Sequence, residues 1–147
     1  MYFALLLFYF YGKKQGLKVF LVAVFTFFVT FFLTDLTKML VGRLRPNNVE
    51  DLVVHLRILQ HPETFSFFSG HASSSFAIAT FMVLALRSFN KWIYLAYLWP
   101  LLFAFSRIYV GVHYPSDILI GSLVGTSVAL MMFMLYKRYI KRSPANL

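Results

Sequence analysis

Apolar residues fill four long runs of the chain, 19–41, 71–86, 92–110 and 116–136, and a shorter one at 1–11, with the charged residues gathered between them. A helix crosses a bilayer with about 20 apolar residues, within a range of roughly 17–25. The four long runs, the second of them short, therefore read as spans. Pro100, inside the third, predicts a kink there. The opening run is about half a span by the same measure and reads as a truncated helix, a tilted one, or the hairpin partner of the next. Lys13 and Lys14 follow it instead of preceding it, unlike the layout of a cleaved signal peptide, so it is expected to be retained structure. The pattern predicts an all-α fold, a polytopic transmembrane bundle of about five spans in five or six helices, in a single integral-membrane domain over 1–147. One sizeable loop, 42–70, separates the second and third spans, and long loops in compact folds tend to carry function.

Composition supports this reading. The chain is 60% hydrophobic with mean hydropathy +0.72, and its charged fraction of 13% is far below the roughly one quarter of a soluble domain. A net charge of +9 would suit nucleic acid only if it formed a solvated basic surface, whereas here the charges lie in short clusters between apolar runs; no nucleic-acid partner is expected. Absence of cysteine excludes a disulfide and decides nothing about compartment.

With five spans, one side of the membrane receives Lys13, Lys14, Lys18, Arg87, Lys91, Lys137, Arg138, Lys141 and Arg142, and none of the five acidic residues. The positive-inside rule makes that side cytoplasmic. The other side receives Lys38, Arg43, Arg45, Arg57 and Arg107 with Asp35, Glu50, Asp51, Glu63 and Asp117. In a bacterium it faces the periplasm.

Three short motifs fall on that second side. Lys38 and Arg45 are seven residues apart, about two helical turns, so a continuing helix would point both at one anion, although Gly42 and Pro46 place Arg45 near the helix end. Ser69-Gly70-His71 lies where the loop becomes a helix. The first backbone N–H groups of a helix lack internal partners and favour phosphate, with Gly70 allowing close approach. Ser69 also reads as an ordinary N-cap, which leaves His71 unexplained. Ser73, Ser74 and Ser75 suit tight helix packing. In the third motif Pro115 fits the first turn of the last helix, so His113 just precedes it and Asp117 lies within it. Four residues apart, the carboxylate can hold one imidazole nitrogen and leave the other free to attack. Arg107 adds a planar fork of donors that matches phosphate oxygens. Polar groups at membrane depth usually mark function.

Together these motifs resemble the type 2 phosphatidic acid phosphatase superfamily, also called lipid phosphate phosphatases: a lysine seven residues before Arg-Pro (Lys38, Arg45, Pro46), Ser69-Gly70-His71, and Ser106-Arg107 followed by His113 and Asp117. The resemblance implies that His113 is the nucleophile that becomes a phosphohistidine, that Asp117 orients it, and that His71 protonates the leaving oxygen. Lys38, Arg45, Ser69, Gly70 and Arg107 would hold the phosphoryl group. Phe68 stands where the family carries proline, which changes loop rigidity but removes no phosphate donor.

Phosphoryl transfer runs on positioning and on cations that stabilise the equatorial oxygens, a task three basic side chains can perform without a metal. Asp51, His55, His61 and Glu63 in the loop lack ligand spacing, so neither metal nor cofactor is expected. Asp35, one turn before Lys38, is expected to pair with a neighbouring cation. The predicted partners are membrane lipids and a phosphorylated lipid substrate. By resemblance, undecaprenyl pyrophosphate and the 1-phosphate of lipid A fit a small bacterial chain best, ahead of phosphatidylglycerophosphate and phosphatidic acid. The rival readings are a phosphotransferase using the same intermediate, and a non-enzymatic protein that binds or transports anionic lipids.

Overall fold

The computed structural model describes residues 2–50, 60 and 62–140, which are helical with irregular connections and, among the described residues, no strand. The helices are α1 (Tyr2–Val41), α2 (Gly70–Leu86), α3 (Leu98–Tyr109) and α4 (Pro115–Leu135). A 3₁₀ segment, Lys91–Tyr97, leads into α3. Among the described residues, two segments, Phe3–Asn48 (which contains α1) and Pro115–Tyr139, are long and apolar enough to cross a membrane, and Gly70–Leu86 is apolar but shorter.

Residues 2–41 are not one rod. Gly12 adopts φ 72° and ψ 168°, open to glycine at little steric cost, and breaks the helix. A Cβ on Gly16 would lie 3.0 Å from the Leu7 carbonyl oxygen, although residues nine apart in a straight helix are separated by roughly 13 Å. The opening run thus folds back on its continuation, and Leu7 and Val19 share one buried cluster with Phe81, Ala129 and Phe133. Of the three readings of this run, the hairpin partner describes it.

The rest of α1 turns a small, partly polar stripe inward and its phenylalanines outward. Val19, Ala23, Thr26, Thr30 and Thr34 are buried, while Phe25, Phe28 and Phe31 are each about 60% exposed. The threonine hydroxyls donate to carbonyls one turn back, Thr30 to Thr26 and Thr34 to Thr30, both at 2.8 Å, which satisfies them without water. Thr34 also shares a 2.9 Å hydrogen bond with Ser73 on α2. An apolar exterior around a small-residue interior is the arrangement expected when lipid replaces water as solvent.

Packing of α2 on α4 is closest at Gly121 and Gly125. A Cβ on Gly125 would lie 2.0 Å from the Ser73 carbonyl oxygen, and one on Gly121 2.7 Å from that of Ser69. This pair, spaced four apart, is a small-xxx-small contact, and the expected packing role of the serine run holds at Ser73.

Two expectations require correction. α1 ends at Val41, where Gly42 turns to φ 60° and its N–H bonds the Lys38 carbonyl at 3.0 Å, a left-handed cap. Arg45 is extended (φ −76°, ψ 155°), so it shares no continuous helix face with Lys38. Pro100 does not kink a helix: it sits in the first turn of α3, where a missing N–H costs nothing, and the change from 3₁₀ to α geometry precedes it. Arg57, Lys141 and Arg142, used in the charge count, lie outside the described residues.

The starts of α2 and α4 and the end of α1 gather at one end of the bundle, where the Ser69 N–H donates to the Asp117 carbonyl at 3.1 Å. At the other end the Tyr11 hydroxyl donates to the Ala85 carbonyl (2.6 Å), Gln15 bonds Tyr136, and the Phe10 and Phe89 rings stack. Replacing Gly125 by Ala forces α2 and α4 apart and is expected to cost about 1–3 kcal/mol, read as a lowered thermal unfolding midpoint in detergent. Leu123→Ala, at a lipid-facing position, is expected to leave the midpoint nearly unchanged.

Candidate active site

Asp117 is fully buried, and its carboxylate meets four hydrogen-bonding groups. As the third residue of α4 it accepts the Tyr114 backbone N–H at 3.0 Å, closing the first turn. The same carboxylate accepts from Arg43 at 2.9 Å and from the Ser66 hydroxyl, and faces His113 Nδ1 at 3.4 Å. Three chain segments, 43–45, 66 and 113–117, are thus held on one carboxylate.

His113 is buried on the loop before α4. Its Nε2 faces Arg45 Nη1 at 3.2 Å. Guanidinium groups only donate, so Nε2 must accept, and the ring proton of the neutral imidazole lies on Nδ1, between the Asp117 carboxylate and the Ser66 oxygen (3.4 Å). Burial holds His113 below the ordinary histidine value; the Asp117 hydrogen bond opposes this and the charge of Arg45 adds to it. The ring is therefore neutral at pH 7, with one nitrogen lone pair directed at a cation.

Arg45 is held rigidly. Its Nε donates to the Thr64 carbonyl at 2.7 Å, Nη1 to the Val112 carbonyl at 2.9 Å and Nη2 to the Thr64 hydroxyl at 2.9 Å. It reaches the histidine from an extended loop, by a route other than the expected helix face. Arg43, two residues earlier, also donates to Ser116 Oγ at 3.0 Å and lies 3.9 Å from the centre of the Tyr114 ring.

The other expected residues sit around this network. Ser69 is fully buried and caps α2 by accepting the Ala72 N–H at 3.4 Å. Gly70, His71 and Lys38 line a cavity of about 230 Å³ between α1 and α2, with Phe27, Phe31, Thr34, Asp35 and Ser74. The His71 ring packs edge-on against Phe103, 5.2 Å between centroids. Arg107 lies over the same phenylalanine at 5.2 Å and bonds Gln60 at 3.3 Å. His71 lies within electrostatic reach of Lys38, Arg45, Arg107 and His113. The structure thus brings both histidines, Asp117 and the three expected cations to one end of the bundle.

Arg43, Ser66 and Thr64 were missed. Arg43 carried a usable signal, being a further cation between Lys38 and Arg45 on the same side of the membrane; Ser66 and Thr64 carried none. Asp51, His55 and His61 lie outside the described residues.

The sequence profile of the PAP2 superfamily matches residues 15–141. The chain is 36% identical over 90 residues to a lipid A 4′-phosphatase of Bacteroides thetaiotaomicron, covering 58% of this chain and 39% of that protein. It is 31% identical over 119 residues to an undecaprenyl-diphosphatase of Sulfolobus acidocaldarius, covering 80% and 55%. Among solved structures, the transmembrane PAP2-type phosphatidylglycerolphosphate phosphatase of Bacillus subtilis shares the fold, with TM-score 0.72 and 23% identity over 93% of this chain and 66% of that one. The chain spans about half the length, or less, of these two curated relatives.

Because the folded-state value of His113 lies below the ordinary 6.5, the unfolded chain binds more protons just below that pH. His113 then favours the folded state above pH 6.5, and this contribution fades as pH falls through the window beneath it. Nitrogen-resolved NMR of the imidazole in detergent is expected to give a midpoint below 6.5 with the proton on Nδ1. A midpoint above 6.5, or a proton on Nε2, contradicts the geometry.

Proposed function

The chain belongs to the PAP2 superfamily, and from that membership we propose that it is an integral-membrane lipid phosphatase acting through a phosphohistidine on His113. The observation that carries the reading is the pairing of His113, whose Nε2 meets Arg45 while its Nδ1 faces Asp117. Such a ring is both oriented and neutral, the two properties an attacking imidazole needs.

In this reading a lipid phosphate enters between His71 and His113, its oxygens neutralised by Lys38, Arg45 and Arg107 and by the start of α2 at Ser69 and Gly70. The Nε2 lone pair forms the N–P bond as the bond from phosphorus to the lipid oxygen breaks, and His71, protonated once the bound phosphate dianion offsets the surrounding cations, gives that oxygen its proton. Water then attacks the phosphohistidine, His71 takes its proton, and inorganic phosphate leaves with His113 neutral again. The three cations supply the charge stabilisation that metal ions provide in other phosphoryl transfers, so the reaction proceeds without metal. Substrates are lipid phosphomonoesters or pyrophosphates.

The orientation is part of the same proposal. The opening run, the remainder of α1, α2, the 3₁₀–α3 unit and α4 count as five passes. Lys13, Lys14, Lys18, Arg87, Lys91, Lys137 and Arg138 then lie on the side opposite the site, so the site faces the periplasm from the cytoplasmic membrane.

Purified protein in EDTA is expected to release phosphate from at least one of undecaprenyl pyrophosphate, lipid A, phosphatidylglycerophosphate and phosphatidic acid, with His113→Ala lowering the rate by 10³-fold or more, a change on the order of 4 kcal/mol in the barrier. Release that needs added metal, or that survives the substitution, overturns the mechanism.

A further inference from the structure

Asp35 stands in an unusual position for a carboxylate. It lies on α1, within a helical stretch apolar enough to cross a membrane, where ionisable groups are costly and mark function. The expected close ion pair is not formed: among the described residues neither a basic group within 4.0 Å nor a hydrogen-bond partner meets its carboxylate, although it lies within electrostatic reach of Lys38. It lines the α1–α2 cavity with Lys38, Gly70 and His71.

The α1 wall of this cavity is graded. Lys38 stands at the head end, Asp35 three residues below it, then Phe31 and Phe27, whose rings stack at 6.3 Å. At about 1.5 Å per residue, Asp35 lies roughly 4.5 Å below Lys38 along the axis, Phe31 roughly 10 Å and Phe27 roughly 16 Å. A phosphate near Lys38 and His71 with its tail along the two phenylalanines sets beside Asp35 the few atoms that join phosphate to tail. There a carboxylate accepts a hydrogen bond strongly and repels a second anion.

Resting on the phosphatase reading above, we propose that Asp35 is a specificity-determining residue that accepts a hydrogen bond from a hydroxyl or amide N–H on the carbons next to the phosphate ester. It selects lipid phosphomonoesters that carry such a donor over donor-free monoesters and over polyprenyl diphosphates, whose inner phosphoryl would sit against the carboxylate.

The test compares lysophosphatidic acid with phosphatidic acid of the same acyl chain, presented at equal surface fraction in mixed micelles, with farnesyl diphosphate as the diphosphate probe. The first two differ near the phosphate by one free hydroxyl. The native protein is expected to favour lysophosphatidic acid in kcat/KM, and Asp35→Ala to reduce that preference about tenfold or more, as expected for a lost charge-assisted hydrogen bond, while farnesyl diphosphate gains relative to phosphatidic acid. Alanine suits an exposed helical position, and each ratio is internal to one preparation. A native protein without the preference, or ratios unchanged in the variant while activity remains dependent on His113, overturns the role of Asp35 alone. Absence of phosphate release from every probe, or release that survives His113→Ala, sinks the phosphatase reading and the Asp35 assignment with it.

Discussion

The Asp117 carboxylate is the constraint on which the site depends. It is fully buried, and a buried charge is tolerated only when its lone pairs are met. Here they are met by the Tyr114 N–H, Arg43 and Ser66, with the His113 ring alongside. Each partner comes from a segment that would otherwise be free to wander: the turn before α4, the exit from α1, and the approach to α2. The Asp117 backbone carbonyl adds the start of α2 through Ser69. One residue therefore closes the first turn of α4 and fixes the geometry of the histidine.

Helix packing makes this convergence possible. Gly121 and Gly125 bring α4 onto α2 with backbone nearly touching backbone, and the Thr34–Ser73 hydrogen bond joins α1 to α2 on its other side. Lipid tails are as apolar as leucine, so close van der Waals contact and interhelical hydrogen bonds hold the bundle where water would have supplied a hydrophobic drive. Of these residues Thr34 also lines the cavity that holds Lys38, Asp35 and His71.

Much of this was legible in the sequence because it is local. The His113–Asp117 pair follows from four-residue spacing and Pro115, the start of α2 from Ser69 and Gly70, and the end-to-end segregation of charge from the order of the runs. What escaped depends on geometry that the chain does not encode in any short period. Arg45 is expected at the end of a helix that Gly42 already closes, and it reaches His113 from an extended backbone in the connection after α1. Ser66 and Thr64 touch Asp117 and Arg45 from a loop whose course no periodicity predicts. Asp35 was expected to find a cation by proximity in sequence, whereas its side chain opens into the cavity. The Gly121–Gly125 pair was present as a pattern, and its meaning appears only when Ser73 is seen opposite.

In the proposed mechanism desolvation and a fixed tautomer make His113 the nucleophile, and the phosphoryl group passes through it. The most direct measurement is mass spectrometry of the protein after rapid quench from lipid phosphate under non-acidic conditions, with His71→Ala, which slows both formation and breakdown of the intermediate, alongside. The account predicts one added phosphoryl group, acid-labile and confined to the peptide containing His113. A phosphoryl group on any other residue, or turnover with no covalent species in either protein, contradicts it.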